Sequence, residues 1–218
     1  MKKTTIAPLA VLAGLLLTAA SAQAADKPVT GTSPQDVQAV LEASFEAKGI
    51  AKMDRLEQSA MQKACSQASM TGKPLSQEEA AAITKEALAS VKYPADGKYL
   101  GDWKAGEKVA QSGRGMQLSD KAGAANGGNC YACHQMTKAE ISFGNIGPSL
   151  LHYGKQRGTA EAIMKYTWNK VYNSHSYSAC STMPRFGAAG ILTEAQLKDV
   201  MALLFDPESP VNKDGVAQ

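Results

Sequence analysis

Two cysteines and a histidine at C-x-x-C-H spacing, Cys130-Tyr131-Ala132-Cys133-His134, are the residues of this chain whose types and order define a chemistry. The pattern is the attachment signature of a c-type haem. Two thiols separated by two residues can add to the two vinyl groups of one porphyrin, and the adjoining imidazole then reaches the iron as proximal ligand. C-x-x-C pairs also build redox dithiols and zinc sites, but each of those needs further company. A structural zinc requires two more ligands at short spacing, whereas Cys65, Cys180, His152 and His175 stand isolated. A thioredoxin-like dithiol follows a buried strand, whereas Ala124-Ala125-Asn126-Gly127-Gly128-Asn129 reads as a glycine-rich loop.

With His134 on one side of a haem, the other side decides between electron transfer and ligand binding. The methionines beyond the motif are Met136, Met164, Met183 and Met201. Met136 follows His134 too closely to reach the far face, and Met164 and Met201 fall on apolar helical stripes where packing is the ordinary role. Met183 stands in Ser181-Thr182-Met183-Pro184-Arg185-Phe186-Gly187, a stretch between two helices that Pro184 keeps out of helix. It is the expected distal ligand, with His152, His175 and the Cys180 thiolate as competitors. A thioether there favours ferrous iron and raises the potential, which suits a carrier that accepts electrons. No general acid, base or nucleophile is assigned, so the catalytic set of this chain is empty.

The elements that must position these residues read as helices. Ser33-Pro34-Gln35-Asp36 opens one with Val37, Val40, Leu41 and Phe45 on a face and an expected end near Lys48. Met53, Leu56, Ala60, Met61, Ala64 and Cys65 form a second stripe, and Ser76-Gln77-Glu78-Glu79 opens a third that Pro94 closes. Asp102 is a candidate N-cap for the next. Ala160, Ile163, Met164, Thr167, Trp168 and Val171 trace another helix, and Thr193 with Gln196 forms a capping box for a last one, flanked by the staple positions Leu192 and Leu197. With no convincing strand, the expected class is all-α. Residues 25–95 read as a helical N-terminal extension packed on a haem-bearing domain over residues 96–218. The tail from Asp206 onward has prolines and few apolar residues, and is expected to lie along a partner or to be loose.

Ahead of these, Lys2 and Lys3, an apolar run over residues 6–20 and the small residues Ala22-Gln23-Ala24 read as a secretory signal peptide, residues 1–24. A lone membrane anchor is the alternative, for which the run is short. Haem attachment through this motif takes place outside the bacterial cytoplasm, so both signals give the periplasm as the expected address. Losing Lys2 and Lys3 lowers the formal charge from +3 to about +1, which is no nucleic-acid footprint. No second apolar run approaches a bilayer span, so no membrane contact is expected after cleavage. Haem attachment uses two of the four cysteines and leaves Cys65 and Cys180 in an oxidising compartment. A disulfide between them is the simplest account and would tie the extension to the loop carrying Met183. Closing so long a loop is worth on the order of 4–5 kcal/mol in the chain-entropy model. Two free or intermolecular thiols are the alternative.

The order helix, haem motif, glycine–proline loop, helix, methionine loop, helix resembles a class I cytochrome c over roughly residues 98–207. There Pro148, in Gly147-Pro148-Ser149-Leu150, stands where such cytochromes set a proline carbonyl against the proximal imidazole; a plain turn is the other reading. Together with Gly128-Asn129-Cys130, Met183-Pro184-Arg185-Phe186-Gly187, Ile191-Leu192-Thr193-Glu194 and Asp206-Pro207-Glu208-Ser209-Pro210-Val211-Asn212, these segments resemble the SoxX family, the small monohaem subunits of SoxAX cytochromes. The resemblance implies one covalent haem c and a heterodimer with a larger SoxA-like cytochrome. It also implies a part in coupling thiosulfate to a cysteine of the SoxYZ carrier, the reaction of an L-cysteine S-thiosulfotransferase. In the family the sulfur chemistry occurs on SoxA, so this chain would accept electrons and pass them to a small soluble cytochrome c. A freestanding periplasmic electron carrier and a haem-based ligand binder with an open sixth position are the competing functions.

Overall fold

The computed structural model describes residues 33–213; the expected signal segment and the first residues of the extension lie outside them. The regular structure of the described residues is helical: α1 Pro34–Ser44, α2 Ala60–Thr71, α3 Gln77–Ala89, α4 Trp103–Gln111, α5 Tyr153–Arg157, α6 Glu161–Tyr172 and α7 Glu194–Phe205. Three short 3-10 turns, Met53–Leu56, Cys130–Ala132 and Ser174–Ser176, complete it. No strand occurs among the described residues, only an isolated bridge between Lys48 and Ala51. The all-α expectation holds for them.

The chain divides between Val40 and Leu41 into two compact units. In the first, the Asp36 N–H donates to Ser33 Oγ at 3.2 Å and the Ser33 N–H donates back to Asp36 Oδ2 at 2.8 Å, so a reciprocal cap starts α1 as its sequence suggests. Val37 and Val40 are exposed.

In the second unit two helix boundaries differ from the sequence reading. α1 ends at Ser44 rather than near Lys48, because the backbone of Lys48 pairs with that of Ala51 across a tight turn, at 2.9 and 3.0 Å. The stripe from Met53 to Cys65 is not one helix: a 3-10 turn ends at Leu56 and α2 begins anew after Ser59. Ser59 and Gln62 make a full capping box there, a start signal that competes with continuation. The caps read at Ser76, Asp102 and Thr193 all form.

The core lies around α7, whose second half is buried on every side from Val200 to Phe205. α4 crosses it closely at Gly106, where a Cβ would collide with the Asp199 carbonyl, and Ala110 one turn on is fully buried. Small residues let the two backbones approach, as in tight helix crossings generally. Asp199 strengthens the junction by accepting the Asp102 N–H at 2.8 Å, while the Gly101 N–H donates to the Lys198 carbonyl at 2.9 Å. α6 adds Met164 and Trp168, with Tyr99 edge-on to the Trp168 ring at 5.6 Å. The extension meets this core through polar bonds. Trp168 Nε1 donates to the Lys92 carbonyl and Asn173 Nδ2 to Ser90 Oγ, both at 2.9 Å.

The tail does not behave as its composition suggests. Through Asn212 it folds back, with Ser209, Val211 and Asn212 buried. Asn212 Nδ2 donates to the Leu204 and Asp206 carbonyls at 3.0 and 2.9 Å, and its Oδ1 accepts the Gly154 and Lys155 N–H groups at 2.9 and 3.3 Å. One side chain thus serves the unpaired carbonyls at the end of α7 and the unpaired amides at the start of α5. Asn212→Ala strips four backbone groups of this partner, and unfolding in urea is expected to show a loss of about 2–3 kcal/mol. A midpoint unchanged from the parent protein would contradict that role.

Candidate functional site

The lead-in to the cysteine motif is sewn to the core on two sides. The Gly127, Gly128 and Asn129 N–H groups donate to the Arg114, Val109 and Ser112 carbonyls at 2.7, 2.8 and 2.9 Å, fixing the segment along the end of α4. On the other side Asn126 Nδ2 donates to the Ile191 carbonyl at 2.9 Å, and Gln196 Nε2 donates to the Asn126 carbonyl at 2.7 Å. The chain then enters the turn at Cys130–Ala132, where the Cys133 and His134 N–H groups both donate to the Cys130 carbonyl, at 3.1 and 2.9 Å. That single turn carries both thiols and the imidazole.

A second segment runs beside it. Gly144, Gly147 and Leu150 donate their N–H groups to the Tyr131, Cys133 and Gln135 carbonyls at 3.0, 2.8 and 2.7 Å. This brings the Pro148 carbonyl 2.7 Å from His134 Nδ1. A carbonyl can only accept, so Nδ1 carries the proton and Nε2 keeps its lone pair, the tautomer of an imidazole that binds a metal through Nε2. Gly147 is obligatory here, since a Cβ at that position would penetrate the His134 ring.

Cys130 and Cys133 are unpaired thiols, whereas Cys65 and Cys180 form a disulfide with a Cα–Cα separation of 5.6 Å. Burial pushes the Cys130 thiol up to about 12. Such a group is a poor attacking thiolate, the opposite of the lowered value that redox-active C-x-x-C pairs need. Among the described residues no three His, Cys, Asp or Glu side chains gather closely enough to hold a metal ion by themselves.

Met183 is half-buried and packs, with Cys130, Leu150 and Ile191, against the one core cluster. Its loop is shaped by Phe186, which is buried and whose carbonyl accepts the Ile191 and Leu192 N–H groups. Wholly buried Ser174 donates its Oγ to the Met183 carbonyl at 2.5 Å. Alongside lies a groove of about 620 Å³ between α2 and this loop, lined by Met61, Cys65, His175, Met183, Arg185 and Ile191 among others. Met164 and Met201 are core residues, as their helical stripes suggest, and Met136 is buried as well. His175 is buried with Nδ1 2.5 Å from the Ala179 carbonyl, and His152 lies at the start of α5 with its N–H on the Val211 carbonyl.

Sequence reasoning missed Ser174, Asn126 and Asn212. Ser174 sits in a polar run that reads as loop, and nothing in it signals a side chain reaching forward nine residues. Gln196 was legible as a cap, but not its amide's second task on Asn126.

No family model matches this chain. It is 44% identical over 136 residues to an uncharacterized lipoprotein of Aquifex aeolicus (strain VF5), an alignment covering 62% of this chain. The chain spans 64% of the length of that relative. No helix of the described residues is long and apolar enough to cross a membrane.

Gly147→Ala is expected to force the 144–148 segment off His134 and to cost about 1–3 kcal/mol, an overpacking penalty. Thermal unfolding measures it, and an unshifted midpoint would show that the ring has room to move.

Proposed function

We propose that this chain is an exported monohaem c-type cytochrome and works as a SoxX-like electron-transfer subunit. The observation that carries this reading is the proximal arrangement: two unpaired thiols and an imidazole on one turn, with His134 Nδ1–H held by the Pro148 carbonyl. The residues fit a covalent haem. Cys130 and Cys133 would anchor it by thioethers, His134 Nε2 would ligate iron, and Met183 would supply the sixth ligand. A bound haem supplies one-electron oxidation and reduction.

The chain's own residues set the terms of that chemistry. The Pro148 carbonyl makes the imidazole more basic and fixes its orientation. The fold that goes with this reading is a class I cytochrome c over residues 96–218, with residues 25–95 as a helical extension. Export is supported by the signal-like residues 1–24, by the disulfide, which belongs to oxidising compartments, and by the relative's description as a lipoprotein. The SoxX-like tail and methionine loop support a SoxA-like cytochrome as partner, SoxYZ as the carrier acted on by the complex, and a small cytochrome c as electron acceptor.

Produced in a host that attaches haem c outside the cytoplasm, the protein is expected to carry one haem through denaturing electrophoresis and to lose it in the Cys130→Ser/Cys133→Ser double variant. With a SoxA-like partner, SoxYZ and thiosulfate present, its haem is expected to become reduced. Reduction without any partner would remove the subunit role, and failure of haem attachment would remove the cytochrome reading altogether.

A further inference from the structure

The distal loop is held differently from the proximal side. Tyr177 to Pro184 contains no helix, and its internal fastening is a few hydrogen bonds: Ser181 N–H to the Ser178 carbonyl, His175 to the Ala179 carbonyl, Ser174 to the Met183 carbonyl. At its start Tyr177 is held by Asn169 Nδ2, which donates to its hydroxyl at 3.1 Å, and by the Tyr166 ring, at its end Met183 packs against the core, and between them the covalent tether is the disulfide from Cys180 to Cys65 on α2. No residue of α2 is buried, so apolar packing gives this helix little hold of its own. Yet Met61, Gln62, Cys65, Ser66 and Ser69 of α2 form one wall of the groove whose other wall includes Met183 and Ile191. Met183 lies three residues beyond Cys180, a stretch that spans at most about 10 Å, so the disulfide restricts where the thioether can go.

We propose that Cys65 and Cys180 are positioning residues for Met183: their bond holds α2 across the groove and keeps the methionine loop in the one placement that presents its sulfur. Opening the bond takes two electrons and two protons from a dithiol, which itself closes to a disulfide, and leaves Cys65 and Cys180 as thiols. Cys180 is exposed, so a dithiol can reach it. The loop then keeps its hydrogen bonds and the partial packing of Met183, which no longer hold the thioether in place; Met183 leaves, and the sixth position becomes open to exogenous ligands. This deepens the cytochrome reading and rests on it.

The test uses the haem-loaded full chain and the Cys65→Ser/Cys180→Ser variant. Expected are loss of the methionine-to-iron charge-transfer band in the oxidised variant, carbon monoxide binding by its reduced form, and a lower midpoint potential, with helical circular dichroism retained. Should the variant fail to fold, wild-type protein is treated with a dithiol, its two thiols alkylated and its haem reoxidised with ferricyanide, and the same three changes are expected. A band and potential equal to wild type in the disulfide-free protein overturn the positioning role alone. A wild-type protein without the band, or a Met183→Ala protein that keeps it, overturns the ligand assignment and this proposal with it.

Discussion

The close crossing of α4 and α7 is the constraint on which the rest depends. Gly106 admits the Asp199 carbonyl where any side chain would collide. The end of α4 offers the Val109 and Ser112 carbonyls to the lead-in of the cysteine motif. The start of α7, through Gln196, reaches the same lead-in from the other side, and Ile191 just before it accepts from Asn126. Were the helices farther apart by the width of a methyl group, these two sets of bonds could not both close on residues 126–129. The turn with its thiols is therefore placed by helix packing rather than by its own five residues.

The small aromatic content of the chain sharpens this dependence. Only two tryptophans are available, and Trp168 is committed to joining α6 to the extension through its indole N–H as well as to filling the core. Close backbone approach and buried polar bonds replace bulk. Asn212 satisfies four backbone groups of two segments at the C-terminal end, and the Asp199 carboxylate satisfies one, the Asp102 N–H, at the crossing.

Much of this was legible in the sequence, and the limits have physical causes. Caps were readable at Ser33, Ser76, Asp102 and Thr193, because a cap is a local bond between residues two or three apart. So were the apolar stripes that separate Met164 and Met201 from Met183, and the pairing of Cys65 with Cys180, which followed from subtraction once two cysteines were spoken for. The break at Ser59 was legible too, as Ser-x-x-Gln, but a stripe of apolar residues running through it masked the signal. The folded-back tail was not readable. Its prolines and polar residues look like solvated chain, and Asn212 becomes a core residue only because two helix termini about fifty residues apart in sequence present complementary unpaired groups at one point. Ser174 is hidden for the same reason: its value lies in a carbonyl brought to it by the tertiary fold.

A consequence of this construction is that the two sides of the site differ in kind. The proximal turn is fixed by a lattice of backbone bonds from Arg114, Val109, Ser112, Tyr131, Cys133 and Gln135, none of which depends on solvent conditions or on the oxidation state of a thiol. The loop of Met183 has Phe186 as its buried root, a single hydroxyl bond at its carbonyl, and a covalent link to a helix that buries nothing. Local stability in a folded protein follows the density of buried apolar contacts and protected backbone bonds, and by that measure the methionine loop is the first part of the site to open. Placing the only disulfide among the described residues at that position offsets the weakness where it is greatest. α2, which has no buried residue, is the element that this bond ties to the loop.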